Sequence, residues 1–245
     1  MRVRRAPWQT FPDVLIATVE ERQVKTFVDY AAAKSGDGLA AYHLVGAFVG
    51  DEFLAKLRRM VFSPARAVRG RRVRNVRVAA VHAEEATGRN QIAQALSSLI
   101  AAKLDLKRES DIVQSNVVSH TGSDGYTRLA RQATFQGQIL PGAEYLLVDD
   151  FVGQGGTLAN FRSHVELHGG HAVGAVVLTG KPYSAKIRLT AETLRLLRTK
   201  HGTILERWWI DRFGFDFSRL TESEARYLAK SPDAVAIRNK ILEAG

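Results

Sequence analysis

The segment from residue 144 to 157, Glu-Tyr-Leu-Leu-Val-Asp-Asp-Phe-Val-Gly-Gln-Gly-Gly-Thr, constrains the fold more than any other part of the chain. Its apolar, β-prone beginning is typical of a parallel strand that is covered on both faces. Apolar residues at helical spacing follow it, at Leu158, Phe161 and Val165. The segment therefore predicts a strand, a glycine-rich loop and a helix, in that order.

Two adjacent carboxylates, Asp149 and Asp150, follow the apolar run directly. In an open α/β sheet, ligands bind beyond the carboxyl ends of the strands, so we expect both side chains at the mouth of a site. Two ionised neighbouring carboxylates repel each other unless something binds them. Vicinal ribose hydroxyls, which donate hydrogen bonds, or Mg²⁺, which prefers oxygen ligands, would relieve that repulsion.

The glycine-rich loop has the complementary property of attracting an anion. Gly153, Gly155 and Gly156 can take positive φ, which lets consecutive backbone N–H groups converge on an anion at the start of the next helix. Thr157 adds a hydroxyl and is expected to cap that helix. A simple tight turn between strand and helix is the alternative. Strand, carboxylates, glycines and threonine together predict a sugar-phosphate site.

The run Leu147–Thr157 resembles the phosphoribosyl-pyrophosphate (PRPP) loop of type I phosphoribosyltransferases. The resemblance implies an α/β fold with a phosphoribosyltransferase-like core, in which helices flank a mainly parallel sheet. It also implies that Asp149 and Asp150 hold the ribose hydroxyls and that Mg²⁺ is the cofactor, in contact with both carboxylates directly or through water. The 5′-phosphate would be bound by the loop: Phe151, Val152, Gly153, Gln154, Gly155, Gly156 and Thr157.

One part of this loop departs from the family pattern. Gly153 and Gln154 stand where many members have Thr-Thr, and where the 6-oxopurine enzymes have an aspartate thought to be the general base. The resemblance therefore disfavours a plain hypoxanthine or guanine transferase.

A second strand, loop and helix are predicted from residue 76 onward. The run 76–81 becomes apolar, and Ile92, Leu96 and Ile100 repeat at helical spacing. Between them, the sequence Gly-Arg-Asn-Gln at 88–91 is similar to the Gly-Phe-Asn-Gln of the ComF-like branch of the family. The resemblance implies that this loop contacts pyrophosphate and that Arg89 supplies positive charge. For Glu84 and Glu85, the alternative to a contact at the site is a solvated first turn of the helix that follows. The candidate contacts are His82, Ala83, Glu84 and Arg89.

Two further segments complete the predicted site. Residues 111–118 are a strand candidate, and the Gly-, Ser- and Thr-rich segment that follows is predicted to be mobile. The resemblance implies a loop here that closes over the sugar, with Arg128 and Arg131 as catalytic groups that neutralise pyrophosphate. His120 is a candidate proton donor or acceptor. Lys181, after a predicted strand at 172–179, is a candidate contact for the acceptor. For the arginines and His120, an ordinary exposed loop is the alternative. For Lys181, the alternative is a solvent-facing turn.

The remainder of the chain predicts three parts: a helical N-terminal extension (1–75), the core (76–181) and a helical, aromatic C-terminal cap or hood (182–245). Residues 13–62 carry helical patterns, and the 245 residues include no cysteine. The absence of cysteine and of a signal-peptide pattern favours a soluble cytoplasmic protein. Relatives are often dimers, so the resemblance implies a homo-oligomer.

The sequence leaves two main functions open, ahead of a third, a hydrolase that acts on nucleotides. The first is a phosphoribosyltransferase, a pentosyltransferase that joins ribose 5-phosphate from Mg-PRPP to a nitrogenous acceptor such as a nucleobase and releases pyrophosphate. The second is a non-catalytic PRPP- or nucleotide-binding regulator linked to a nucleic-acid process. The formal net charge of +10 and the basic segment Arg58–Arg77 suggest contact with nucleic acid. A solvated loop that steers a small phosphate is the other explanation for that segment.

Overall fold

The computed structural model describes residues 3–62, 76–82, 84–85, 88–116 and 124–245. Its centre is a five-stranded parallel sheet with the spatial order β1-β9-β8-β2-β5. These strands are β1 (Leu15–Thr18), β2 (Val76–Ala80), β5 (Lys107–Glu109), β8 (Glu144–Val152) and β9 (His171–Gly180). Helices cover both faces of the sheet, so the predicted α/β class with a parallel sheet flanked by helices is confirmed.

Alternation along the central strands divides the core into two layers, because successive side chains of a strand point to opposite faces. Leu146 and Val148 face one layer, whereas Tyr145 and Leu147 face the other. Four helices supply most of the first layer: α2 (Tyr30–Ser35), α3 (Gly38–Phe48), α4 (Asp51–Val61) and α5 (Ile92–Leu104). Helix α7 (Gly156–Leu167) covers the second layer.

The N-terminal segment is only partly as predicted. Helices α1 (Glu21–Thr26) to α4 are present, and Asp37 caps α3 by accepting hydrogen bonds from the N–H groups of Leu39 and Ala40. Helix was also predicted for residues 15–18, and this was wrong, since they form β1 and pair with β9. The division at residue 75 stays a prediction, although β1 shares the sheet of the segment that follows.

The strand predicted at 111–118 is also corrected. Within the described residues of this run, 111–116, the strand is β6 (Val113–Gln114), which pairs antiparallel with β7 (Phe135–Gln136) outside the main sheet. A strand covered on both faces needs a continuous apolar run, but the polar residues Gln114–Asn116 interrupt this one, and Val113 is exposed. Part of the segment predicted to be mobile forms helix α6 (Gly125–Ala130), which buries Tyr126 and Leu129. Residues 117–123, including His120, lie outside the described residues.

The C-terminal part is helical, as predicted. It contains α8 (Ala191–Phe213), α9 (Glu222–Ala229) and α10 (Ala234–Ala244), with 3₁₀ turns at Pro182–Ser184 and Phe217–Arg219. The aromatic group expected as core or hood packs into a third hydrophobic cluster with Leu205 and Ile237, and Trp209 and Phe217 are fully buried there. Those two aromatic rings are therefore core. In the described part of the chain, no helix has the length and apolar character needed to cross a membrane.

Candidate functional site

A cavity of about 240 Å³ opens at the carboxyl ends of the central strands. Val81 follows β2, Asp149 and Asp150 lie near the end of β8, and Thr179 lies near the end of β9, all of them lining the cavity. This is the edge where ligands bind in α/β sheets. The structure therefore brings the predicted acidic pair to the predicted place.

The loop after β8 forms one wall of the cavity. Gly153, Gln154, Gly155, Gly156 and Thr157 all line it. Gly155 has φ +79° at the position before α7, a conformation that glycine adopts without steric cost. The first N–H groups of a helix have no partner within it, so the start of α7 offers donors and a positive dipole end to an anion.

Thr157 does not cap this helix, contrary to the expectation from sequence. The residue at the cap position is Gly155, and no side chain makes a capping hydrogen bond there. Thr157 lies within the first turn of α7 and lines the cavity. Its hydroxyl therefore adds to the polar groups of the wall.

The two carboxyls of the acidic pair have different environments. Burial, then the charge of Asp150, raises the pKa of Asp149 well above its ordinary value. Burial acts to raise the pKa of Asp150 as well, but Lys34 and Asn90 outweigh it, so that the pKa of Asp150 is lowered. Asp149 Oδ1 also accepts a hydrogen bond from the Asp150 N–H at 2.9 Å. We therefore assign the negative charge of the pair mainly to Asp150.

Two partners of Asp150 were not foreseen from sequence. Lys34 Nζ lies 3.2 Å from Asp150 Oδ2, and Asn90 Nδ2 donates to the same oxygen at 2.7 Å. Lys34 comes from α2, and Asn90 precedes α5. No local signal could have found the ion pair of Lys34, since 116 positions separate it from Asp150. Asn90 belongs to the Gly-Arg-Asn-Gln segment that the resemblance singled out, but its contact with Asp150 was not among the predicted roles, and the role of Arg89 stays a prediction.

These contacts decide whether the pair suits a resident Mg²⁺ ion. Magnesium takes oxygen ligands at about 2.0–2.1 Å in near-octahedral geometry. One oxygen of Asp150 already has two donors, and one of them is an ammonium that would repel a cation. Among the described residues, no three His, Cys, Asp or Glu side chains are grouped to hold a metal ion. The residues present do not fit a protein-held magnesium site.

The candidates for pyrophosphate contact are only partly gathered in the cavity. Arg128, from α6, lines it, and its Nη1 lies 2.7 Å from the position that a Cβ atom on Gly153 would take. Arg131 instead donates from Nε to the Ala244 carbonyl at 3.0 Å and is exposed. The two arginines of this segment therefore lie in different surroundings.

The candidates after β2 lie outside the cavity lining, as far as the structure describes them. His82 accepts at its carbonyl from the Gln114 N–H at 3.2 Å, and Arg89 is exposed on strand β4 (Gly88–Arg89). Glu84 belongs to strand β3 (Glu84–Glu85), which pairs with β4, and Ala83 lies outside the described residues. From this part of the chain, Val81 and Asn90 contribute to the cavity lining instead.

The N-terminal helices, not the C-terminal aromatics, flank the acidic pair. Val24, Lys25 and Tyr30 line the cavity together with Phe151. Lys25 Nζ lies 5.3 Å above the centre of the Phe151 ring and 2.6 Å from Glu21 Oε1. Lys181 Nζ pairs with the other oxygen of Glu21 at 3.0 Å, so the predicted acceptor lysine lies beside this group, although it is half-exposed.

The C-terminal part contacts the 153–157 loop. The Thr221 hydroxyl donates to the Gln154 carbonyl at 2.6 Å. A Cβ atom on Gly156 would lie 2.7 Å from Glu224 Oε1, and Glu224 pairs with Arg5 in a buried salt bridge of 2.5 Å. Sequence reasoning missed these contacts, because they join residues that lie at least 67 positions apart.

Comparison with known proteins gives two curated relatives. The chain is 34% identical over 243 residues to Protein TraN of Escherichia coli, a match that covers 99% of the chain and 52% of TraN. It is 34% identical over 166 residues to an uncharacterized protein of Haemophilus influenzae, covering 66% of the chain and 34% of that protein. The chain thus spans about half or less of the length of these relatives. No family model matches it.

Among solved structures, similarity is found to adenine phosphoribosyltransferase from Leishmania donovani, with a TM-score of 0.33, 15% identity and coverage of 58% of this chain and 57% of that chain. It is also found to UMP synthase of Leishmania donovani, with a TM-score of 0.31, 13% identity and coverage of 77% and 35%. Both TM-scores are below 0.5, so neither similarity supports an inference about function. The likeness to the ComF-like branch stays a prediction.

Proposed function

We propose that the chain is a phosphoribosyltransferase, which transfers ribose 5-phosphate from Mg-PRPP to a nitrogenous acceptor and releases pyrophosphate. The observation that supports this most is the shared cavity of the acidic pair, the 153–157 loop and Arg128. This reaction requires three kinds of group: a carboxylate for the sugar hydroxyls, backbone donors for the 5′-phosphate, and a guanidinium for the leaving anion. Mg²⁺ belongs to the substrate complex in this proposal.

In the proposed reaction, the bond from ribose C1 to pyrophosphate breaks, and its electron pair leaves with the pyrophosphate oxygen. The acceptor nitrogen forms the new bond to C1, and its proton passes to solvent. Asp149 and Asp150 orient the ribose hydroxyls, while the N–H groups at the start of α7 hold the 5′-phosphate. Arg128 stabilises the negative charge that develops on the leaving pyrophosphate. A guanidinium that already lies in the cavity needs little rearrangement during the reaction.

The acceptor side of the cavity is assigned to the N-terminal helices. Lys25, Tyr30 and Phe151 contribute a cation, a hydroxyl and an aromatic face to the cavity lining, and Lys25 lies over the Phe151 ring. Such a surface suits a flat nitrogen heterocycle with a carbonyl or anionic substituent, since aromatic faces stack and ammonium groups donate hydrogen bonds. Lys181 reaches this region through its ion pair with Glu21.

Pyrophosphate release tests the proposal. Purified protein with Mg-PRPP and a panel of nucleobases and related heterocycles should release pyrophosphate with at least one acceptor. Arg128→Met should lower kcat by roughly 10²–10³-fold, the usual effect of removing one donor that stabilises developing charge. Arg195→Met, an exposed charge change on α8, is the matched control and should leave the rate unchanged.

A second candidate is a regulator that binds PRPP or a nucleotide without turnover, and one observation favours it. The Arg128 guanidinium lies over Gly153, at the loop position where the 6-oxopurine enzymes carry their aspartate. Among the described residues that line the cavity, the carboxyl groups belong to Asp149, Asp150 and Glu224, and each has a hydrogen-bonding partner. The loop position of Gly153 thus faces an arginine and carries no carboxyl group of its own to act as a general base.

Ligand binding without pyrophosphate release across the whole panel would favour this second function. Its proposed link to nucleic acid has a separate test in salt-dependent DNA or RNA binding. Replacing Arg69, Arg71 and Arg72 of the basic segment with glutamine should weaken such binding and flatten its salt dependence. Those three arginines lie outside the described residues.

A further inference from the structure

Lys34 stands where a cation would be expected beside the acidic pair. Its Nζ lies 3.2 Å from Asp150 Oδ2, and the side chains of Lys34 and Asp150 are only 17% and 18% exposed. Because water is largely excluded, this ion pair is screened less than a surface pair. Asn90 donates to the same oxygen and is itself fixed, since its Oδ1 accepts from the Ile92 N–H at 3.1 Å.

Helix α2, which carries Lys34, is held against the loop that carries Asn90. The Gln91 N–H donates to the Ala33 carbonyl at 3.0 Å. Gly88 comes so close that a Cβ atom there would lie 2.4 Å from the Ser35 carbonyl oxygen. These backbone contacts lie on both sides of Lys34 in the sequence. Lys34 is therefore presented to the acidic pair by the backbone of the fold.

We propose that Lys34 is the built-in cation of the acidic pair and takes the place of a divalent metal at Asp150. The Lys34 ammonium, which contacts Asp150 Oδ2, balances the charge that the pair carries, so that the pair can accept sugar hydroxyls without a metal ion. A metal ion brought close to this pair would meet an ammonium charge 3.2 Å from its would-be ligand. Binding of a ribose phosphate at the pair is then independent of Mg²⁺, which enters only with a diphosphate. The nature of this ligand rests on the proposed function, whereas the exclusion of metal does not.

The exclusion of metal is tested with Mn²⁺ alone, followed by electron paramagnetic resonance. The wild type should show no Mn²⁺ site at the pair, whereas Lys34→Met should bind Mn²⁺ at least about tenfold more tightly, the change that about 1.4 kcal/mol of lost repulsion produces. Lys34→Arg keeps the charge and should remain like the wild type. Lys56→Met removes an equal charge from an exposed pair with Glu52 and should also have no effect. Equal titrations of wild type and Lys34→Met, whether both bind or neither does, would overturn the proposal.

Ribose 5-phosphate, which lacks the diphosphate, tests the consequence for ligand binding. By calorimetry, the wild type should bind it with the same affinity in Mg²⁺ and in EDTA, and Lys34→Met should bind it weakly in EDTA and recover in Mg²⁺. If the wild type binds ribose 5-phosphate only in Mg²⁺, the proposed role of Lys34 is overturned, whereas the proposed function is not. Failure of the wild type to bind under either condition would count against the proposed 5′-phosphate site, and the Mn²⁺ comparison would still decide the role of Lys34.

Discussion

Asp149 is a carboxyl group whose charge the fold disfavours. It is 7% exposed, it adjoins Asp150, and burial followed by that neighbouring charge raises its pKa well above the ordinary value. A carboxyl with a raised pKa contributes stability that is fully present below its unfolded pKa, about 3.9, and is lost as the pH rises through its folded pKa. A buried carboxyl that opposes its own ionisation is typical of functional sites.

Asp149→Asn should therefore become progressively more stable than the wild type as the pH rises above about 4, the ordinary pKa of an aspartate. The substitution keeps an acceptor for the Asp150 N–H and removes the group that resists ionisation. Asp150 has a lowered pKa, so its own stabilising contribution is lost only at more acidic pH. Urea unfolding of both proteins across this range measures the difference, and a pH-independent difference would contradict the assignment.

Helix α2 and strand β4 form a close element-to-element contact that sets the position of Lys34. Gly88 has φ +126°, and a Cβ atom there would lie 2.4 Å from the Ser35 carbonyl and 3.3 Å from Ser35 Cα. Backbone atoms of a helix cannot move aside as a flexible side chain can. The contact therefore requires glycine for both conformational and steric reasons.

Gly88→Ala should lower the free energy of unfolding by about 1–3 kcal/mol, the usual cost of forcing extra volume into a packed contact. It should also reproduce the Mn²⁺ binding of Lys34→Met, because α2 has to shift. Gly46→Ala on α3 is the matched control, since a Cβ atom there has no neighbour within 4 Å, and it should stabilise by about 0.5–1 kcal/mol. Equal effects of the two substitutions on urea unfolding would argue against this packing.

The helices and strands also show which sequence signals were sufficient to predict secondary structure. Strands β2, β8 and β9 and helices α5 and α7 were predicted, because long apolar runs and glycine-rich loops mark them clearly. The strand β1 was missed because its four residues, Leu15–Thr18, form a short apolar run whose periodicity cannot separate strand from helix. The position of Arg131 depends on the docking of α10, which no local pattern reports.

At the scale of the whole molecule, the buried pair Arg5–Glu224 joins the N-terminal segment to helix α9 next to the 153–157 loop. Arg5 donates to both oxygens of Glu224, at 2.5 and 2.8 Å, and from Nε to Asn160 Oδ1 at 2.7 Å. The two side chains of the pair are only 1% and 3% exposed. Asn160 belongs to α7, the helix that follows the loop. The pair thus connects the N-terminal segment, helix α7 and the C-terminal helices.

Arg5→Met should lower the free energy of unfolding by about 3–5 kcal/mol, because it leaves an uncompensated buried carboxylate. The double variant Arg5→Met, Glu224→Gln should recover a large part of this loss, since the remaining group is neutral. Urea unfolding of the single and double variants measures the coupling between the two residues. Additive effects would show that the pair does not act as a unit.

Long-range pairs of this kind mark the limit of what the sequence alone could predict. The acidic pair and its loop were predicted because strand, carboxylates and glycines follow one another within 14 residues. The partners of Asp150 and of Glu224 come from positions 34 and 5, which are brought there only by the packing of α2 and of the N-terminal segment. Tertiary packing, which leaves no periodic signature, determined these contacts.

The most direct test of the central claim, that this cavity binds a sugar phosphate through its acidic pair, is calorimetric titration of Mg-PRPP into the wild type and into an Asp149→Asn, Asp150→Asn variant. Asp211→Asn, an exposed change on α8, serves as the control. We expect the wild type and the control to bind Mg-PRPP and the double variant to lose at least about tenfold in affinity, since each 1.4 kcal/mol of lost binding is a factor of ten. Equal binding by all three proteins, or no binding by any of them, would contradict this claim.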